Sequence, residues 1–392
     1  MSDRDRTATP PRIGIDRPGS FSRAVFHERH PTLIANLVDD HPYPPRLRSR
    51  LEALLAESLD AAVPPEVPTG PNTAFWTAQI AERAGSPWSA LPFLWAESYF
   101  YRRLLDAVEH FDPVSAWGGV DPFAPQKRAQ LDGPEIRDDL DAYTGLEGEG
   151  RRRALLHASL WGNQADLGFR TNNDAASRNA PTGEVVADDT DAVWDLLDRP
   201  GDRPVIVVAD NAGRELTADL ALIDALLETG PVELHLKPHP YFVSDATGQD
   251  VLATLDALES HRRPQVRALA ERLRDALRTG RLRMTAHGFY VLPTTYRGLP
   301  ADLRADFAAA RLVILKGDLN YRRLVGDREW DPATPFDQVV DYFPGPVAAL
   351  RTAKSDLAVG IDPARLAELE ADEPDWRTSG THAVIQLHRP RP

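Results

Sequence analysis

The sequence contains no cysteine among its 392 residues. That absence removes disulfides, thiolate-bound zinc, cysteine-ligated iron–sulfur clusters and cysteine nucleophiles together. Methionine is nearly missing as well, present only as Met1 and Met284, which argues against a Met-rich adaptable binding groove. No run of about 18 apolar residues exists, so no membrane span is expected. A basic excess is also lacking: 45 Lys and Arg stand against 59 Asp and Glu, a net charge of −14. Nucleic acids and anionic membranes would repel such a surface, so neither is an expected partner. A local basic pocket for a small anion remains compatible with it. The first twenty residues mix charge with Pro and Gly around no apolar stretch. They read as a mobile or wrap-around arm without a secretory signal, and a cytoplasmic protein is expected.

What is present is an ordinary soluble composition, 42% hydrophobic and 27% charged, in a chain long enough to bury a large core. Proline, at 34 residues, exceeds the average of about 5%, so loops should be numerous and stiff. The chain changes character near residue 200. Before it, helix-period patterns run over 21–38, 47–59, 75–84, 92–108, 135–143 and 152–166, separated by Pro- and Gly-rich loops. Pro31 demands a break or restart in the first of these. Beyond 200, short apolar runs alternate with helical patterns: PVIVVAD (204–210), VELHLK (232–237), RLRM (281–284) and RLVILK (311–316). Such alternation predicts right-handed crossovers and a mostly parallel sheet. A polar linker is read over about 170–190. The expected organisation is an arm over 1–20, a helical domain over 21–185 and an α/β domain over 190–392.

Ligands of open parallel sheets bind beyond the carboxyl ends of the strands, and four polar segments fall there. Asp210 and Asn211 end the first strand, with Gly213 in the turn and Arg214 and Glu215 opening a helix. A carboxylate beside a carboxamide suits a hard divalent ion, but either residue could simply cap the helix. On spacing alone the two roles stay open. His235, Lys237 and His239 alternate along the next strand, where a His-rich metal site competes with the favoured reading of core or surface histidines, while Asp245 beyond them reads as a turn or cap. Lys316, Asp318, Asn320, Tyr321 and Arg322 crowd the end of an apolar strand, where a purely structural account is harder. Arg351 and Lys354 stand between two apolar runs. Turned inward, they would neutralise a phosphate.

These segments resemble a known family. DNAGRE (210–215), VSD (243–245), KGDLNYR (316–322) and RTAK (351–354) are similar, in this order, to motifs of the metal-dependent damage-control phosphatases. The likeness is to the subfamily with an RTxK motif, formerly a domain of unknown function. HERHP (27–31), LWAESYFYRR (94–103) and SLWGNQADL (159–167) extend the resemblance into the helical half. It implies a three-layer α/β/α sandwich with a mostly parallel sheet and an N-terminal helical domain. It further implies that Asp210, Asn211 and Asp245 hold a divalent metal (manganese, cobalt, nickel or magnesium). Glu215 would sit near the substrate, and Asp318, Leu319, Asn320, Tyr321 and Arg322 would form the substrate-binding stretch. Lys354 would contact phosphate, with Arg351 and Thr352 completing its motif, while Asn163 and Asp166 would close the pocket. The implied substrates are sugar phosphates such as fructose 1-phosphate or fructose 6-phosphate, cleaved by a metal-activated water with Lys354 and Arg322 neutralising charge. One departure is His30, where Trp is commoner. Two rival readings are an S-adenosylmethionine-dependent protein carboxyl methyltransferase and a non-catalytic sugar-phosphate-binding accessory protein. The first lacks the Gly-rich turn that a nucleotide site wants, since ADNAG holds a single glycine.

Overall fold

The computed structural model describes residues 9–133, 136, 139–140, 149–162, 183–198 and 200–390. Seven strands form one sheet: β1 (Glu184–Asp188), β2 (Val205–Val208), β3 (Val232–Leu236), β4 (Leu282–Ala286), β5 (Leu312–Lys316), β6 (Val347–Thr352) and β7 (His382–His388). Their order is β1-β7-β6-β5-β2-β3-β4. Every neighbouring pair is parallel except β6 and β7. The central strands β2, β5 and β6 are buried along their whole length, as strands covered on both faces should be. Val205 and Val207 pack into one helix layer while Ile206 and Val208 pack into the other, which is the period-two alternation of a strand.

The helices Arg214–Leu226, Gly248–Glu259 and Pro264–Thr279 cover the first face, together with Glu149–Trp161 and Thr190–Leu197. Ala301–Ala309, Gly317–Val325 and Phe336–Val340 cover the second. The mostly parallel, three-layer expectation holds. The linker reading does not hold throughout. Residues 184–188 are an edge strand, β1, paired with β7. β7 itself runs antiparallel to β6.

The helical half has its own core, built on the aromatic helix Phe93–Ala107. Trp76, Trp88, Tyr99 and Phe100 are all buried in it. The break required by Pro31 takes the form of a single π turn, Val25–Arg29, in which the His30 N–H reaches back to the Val25 carbonyl. Proline cannot donate a helix hydrogen bond, so the turn before it is free to widen. Residues 11–14 tie this half to the sheet. Ile13 donates its N–H to the Asp327 carbonyl (3.1 Å) and accepts at its own carbonyl from Phe93 (2.8 Å). Asp327 follows the helix Gly317–Val325, and its carboxylate accepts from the Leu94 N–H at 3.0 Å.

His30 lies inside the aromatic core, stacked on Phe100 at 3.7 Å between ring centroids. Neither ring nitrogen has a hydrogen-bond partner, and burial holds its pKa down to about 3. The unfolded chain, with the ordinary value of 6.5, therefore takes up the proton first. The stability is present above pH 6.5 and is lost as pH falls toward the folded pKa. Between pH 7.5 and 5.5 this one group should cost about 1.4 kcal/mol. Urea unfolding of wild type and His30→Phe at both pH values measures it: the variant should lack that share of the acid loss.

Candidate active site

The site is built where β2 and β3 leave the sheet. After β3 the chain doubles back, and Ala246 donates its N–H to the Asp210 carbonyl (2.8 Å) while Ala212 donates to the Ser244 carbonyl (2.7 Å). This short antiparallel pairing sets Asn211 opposite Asp245. Three residues from two separate motifs are thereby brought together by backbone alone. β5 adds the third side. It ends at Lys316, and the next residue, Gly317, has φ +80°. A Cβ there would fall inside the Asp210 carboxylate, so only glycine lets the two segments approach this closely. β2 and β5 are neighbours whose following connections diverge to opposite sides, so the site lies at the topological switch point of the sheet.

A cavity of about 150 Å³ opens here. Asp210, Asn211, Ser244 and Asp245 line one side, Asp318, Leu319 and Arg322 another, and Lys354 enters from beyond β6. The helical half closes it with Arg29, Glu97 and Tyr101. Sequence motifs more than a hundred residues apart converge on it.

The remaining expected residues sit around this cavity rather than on it. Glu215 is buried behind Asn211 and accepts from its Nδ2 at 2.8 Å. Asn320 turns into the protein, accepting from the Tyr296 hydroxyl (2.8 Å) and donating to the Lys316 carbonyl (2.8 Å). Tyr321 donates to Gln386 Oε1 at 3.0 Å, and the Arg351 guanidinium covers its ring. Arg351 donates through Nε to Asp318 Oδ1 (2.7 Å) and through Nη2 to Ser355 Oγ (3.0 Å). Thr352 donates to the Leu160 carbonyl at 3.1 Å. Asn163 and Asp166 lie outside the described residues. His235 pairs with the Tyr290 hydroxyl and His239 sits beside Phe111, so the two histidines of that strand do not converge.

Residues 25–369 match the family model described as the damage-control phosphatase ARMT1-like domain. The chain belongs to that family. Relatives named damage-control phosphatase ARMT1 include the mouse protein, 28% identical over 97% of this chain and 99% of its own length. The human protein is 31% identical, the match covering 78% of this chain and 76% of the relative. The zebrafish protein is 30% identical over 77% and 75%. A crystal structure of a DUF89 family protein from Pyrococcus horikoshii superposes with a TM-score of 0.50, covering 93% of this chain and 98% of that one at 14% identity. At that identity the likeness speaks for the fold alone. Membership makes the chain an enzyme of a metal-dependent phosphatase family.

The residues of this family member fit a divalent ion. Among the described residues no group of three or more His, Cys, Asp or Glu could hold one, so the candidate set is two carboxylates with a carboxamide as third donor. All three offer hard oxygen atoms. The amide orientation is fixed: Nδ2 donates to Glu215 Oε2, leaving Oδ1 to accept from Ser244 Oγ at 2.6 Å. A carbonyl oxygen has a second lone pair to give. The Lys237 ammonium sits 3.1 Å from Asp245 Oδ1 and 3.6 Å from Asp210 Oδ1, so this pair of buried carboxylates is already built around positive charge.

A second charged network lies directly behind. Lys316 Nζ donates to Asp219 Oδ1 (2.8 Å), Glu215 Oε1 (3.0 Å) and the Ser159 carbonyl (2.7 Å). The carboxylates beside it raise the Lys316 pKa despite complete burial. Burial pushes the Asp219 carboxyl above its ordinary range. Asp219 escapes motif reading, and Glu97 lies within the LWAESYFYRR stretch (94–103) without a role attached to it there. The signal for Glu97 was its isolation, as the one acidic residue in the aromatic run FLWAESYFY. No helix among the described residues is long and apolar enough to cross a membrane.

Proposed function

We propose that this enzyme hydrolyses phosphomonoesters of small metabolites, with sugar phosphates such as fructose 1-phosphate or fructose 6-phosphate as substrates. The observation that carries the reading is the convergence of Asp210, Asn211 and Asp245 with Lys354 on one small cavity at the sheet's switch point. In this reading Asp210, Asn211 and Asp245 hold the metal. When bound, a divalent ion supplies Lewis acidity toward a phosphoryl oxygen and acidifies a water. Lys354 faces the phosphate as a point charge. Arg322 lines the same cavity, with its charge shared between two carboxylates. Its guanidinium is committed to Glu97 (Nη1, 2.8 Å) and Asp327 (Nε, 2.8 Å) and lies over the Phe93 ring. Arg351 holds Asp318 at the cavity wall. Asp318 and Leu319 then contribute the first turn of the helix Gly317–Val325 to substrate binding.

The purified protein should release phosphate from hexose phosphates with added manganese, cobalt, nickel or magnesium, and EDTA should stop it. Phosphate release that persists in EDTA would overturn the metal assignment. Calorimetry with S-adenosylmethionine, giving tight binding without metal, would favour methyl transfer instead.

A further inference from the structure

We infer that Glu97, carried by the helical half, is a specificity-determining residue that accepts a hydrogen bond from a hydroxyl on the substrate's leaving group. The inference deepens the phosphatase reading and rests on it. Glu97 lines the cavity although its helix belongs to the other core. Oε2 is held by Arg322 Nη1 at 2.8 Å, while Oε1 has no hydrogen-bond partner among the described residues. Arg322 is in turn fixed by Asp327, which also anchors the start of the Glu97 helix at the Leu94 N–H. The carboxylate is therefore positioned rigidly, with acceptor capacity left over.

An acceptor-only group cannot serve the phosphate. A carboxylate and a phosphate dianion repel one another, and neither carries a proton to share. Glu97 must face a part of the ligand that is neutral and donor-rich. The cavity wall also carries the apolar residues Leu33, Phe242 and Leu319 beside Tyr101, together with the neutral polar Thr32, Asn36 and Gln126. It accepts a carbon skeleton and its hydroxyls but, among the described residues, offers no second fixed carboxylate acceptor from the helical half. A ligand with a phosphate at one end and hydroxyls at the other matches this division: a polyol or sugar phosphate. A site built to bond a hydroxyl rejects an analogue lacking it, because its own acceptor is then buried unpaired.

Glu97→Gln tests this. The carboxamide keeps the shape and still offers one acceptor to Arg322, but its amide end cannot accept from a hydroxyl. KM for a hexose phosphate should rise roughly tenfold or more, while the inhibition constant of inorganic phosphate stays within twofold. A merely structural role would move both constants together, and an unchanged KM would leave Glu97 with no part in recognition. Either result overturns the proposal. Wild type that hydrolyses p-nitrophenyl phosphate but no polyol phosphate overturns it too, while leaving the phosphatase reading standing. Wild type inactive on every phosphomonoester fails that reading itself.

Discussion

Asp210→Asn is expected to lower metal-stimulated phosphate release by about a thousandfold or more while the protein stays folded. Asp210 is nearly isosteric with Asn and is held by its backbone, whose carbonyl accepts from Ala246 at 2.8 Å. The variant thus keeps the β2 exit and its packing on Gly317. The charge balance also favours folding. Asp210, Asp245 and Lys237 together carry one net negative charge in a buried place. Removing one carboxylate leaves a neutral Lys237–Asp245 pair at 3.1 Å, so Lys237 keeps a carboxylate partner. What disappears is one of the two carboxylates of the proposed metal-holding set, Asp210 and Asp245. Phosphate release should collapse, and thermal unfolding in the absence of metal should stay close to that of wild type. Asp245→Asn should behave alike. A variant that retains near-wild-type turnover would remove Asp210 from the site.

How much of this was legible in the sequence follows from which forces act locally. The buried strands β2, β3 and β5 were legible because strands covered on both faces must be continuous apolar runs. β1 was not. It is a half-exposed edge strand, its residues mix polar and apolar, and its pairing with β7 depends on a segment almost two hundred positions away. The metal candidates were legible as residue types at a strand end, yet their assembly was not. Asp245 reads locally as a turn residue and reaches Asn211 only through the doubled-back pairing after β3. The largest gap concerns Arg322 and Glu215. Their motif positions suggest ligand contact. Their hydrogen bonds also commit them to buried side chains, and although Asp327 follows Arg322 by five residues, Glu97 and Lys316 come from more than a hundred positions away. Burial of charge is a tertiary property, so no window of sequence announces which cation a carboxylate will meet.

Lys316→Met should be the most destabilising single change around the site, and its reason is electrostatic. Lys316 is only 1% exposed and holds two carboxylates, Glu215 at 2% and Asp219 at 0%. Methionine fills much the same volume but supplies no charge, so both carboxylates are left buried without their cation. Breaking a buried pair by removing one partner costs about 3–5 kcal/mol, and here one removal strips two partners. Asp219 has a further difficulty, since its Oδ2 already lacks a hydrogen-bond partner and only Ser159 Oγ at 2.6 Å would remain on Oδ1. Protonation is the escape open to it. The unfolded chain then has the more acidic carboxyl, and the folded variant gains relative stability as pH falls through the raised folded pKa. The destabilisation should therefore be larger at pH 8 than at pH 5.5, the reverse of the His30 effect. Denaturant unfolding at both pH values checks the sign. Asp219→Asn added to Lys316→Met should restore part of the loss, because it removes one stranded charge. A double variant no more stable than Lys316→Met would mean that the cost lies in packing. The consequence also reaches the metal. Glu215 accepts from Asn211 Nδ2 while Lys316 holds its other oxygen, so releasing Glu215 loosens the amide that presents Oδ1. Manganese affinity of the folded variant, measured by calorimetry, should fall by roughly 10- to 100-fold, as when an outer partner of a metal ligand is lost.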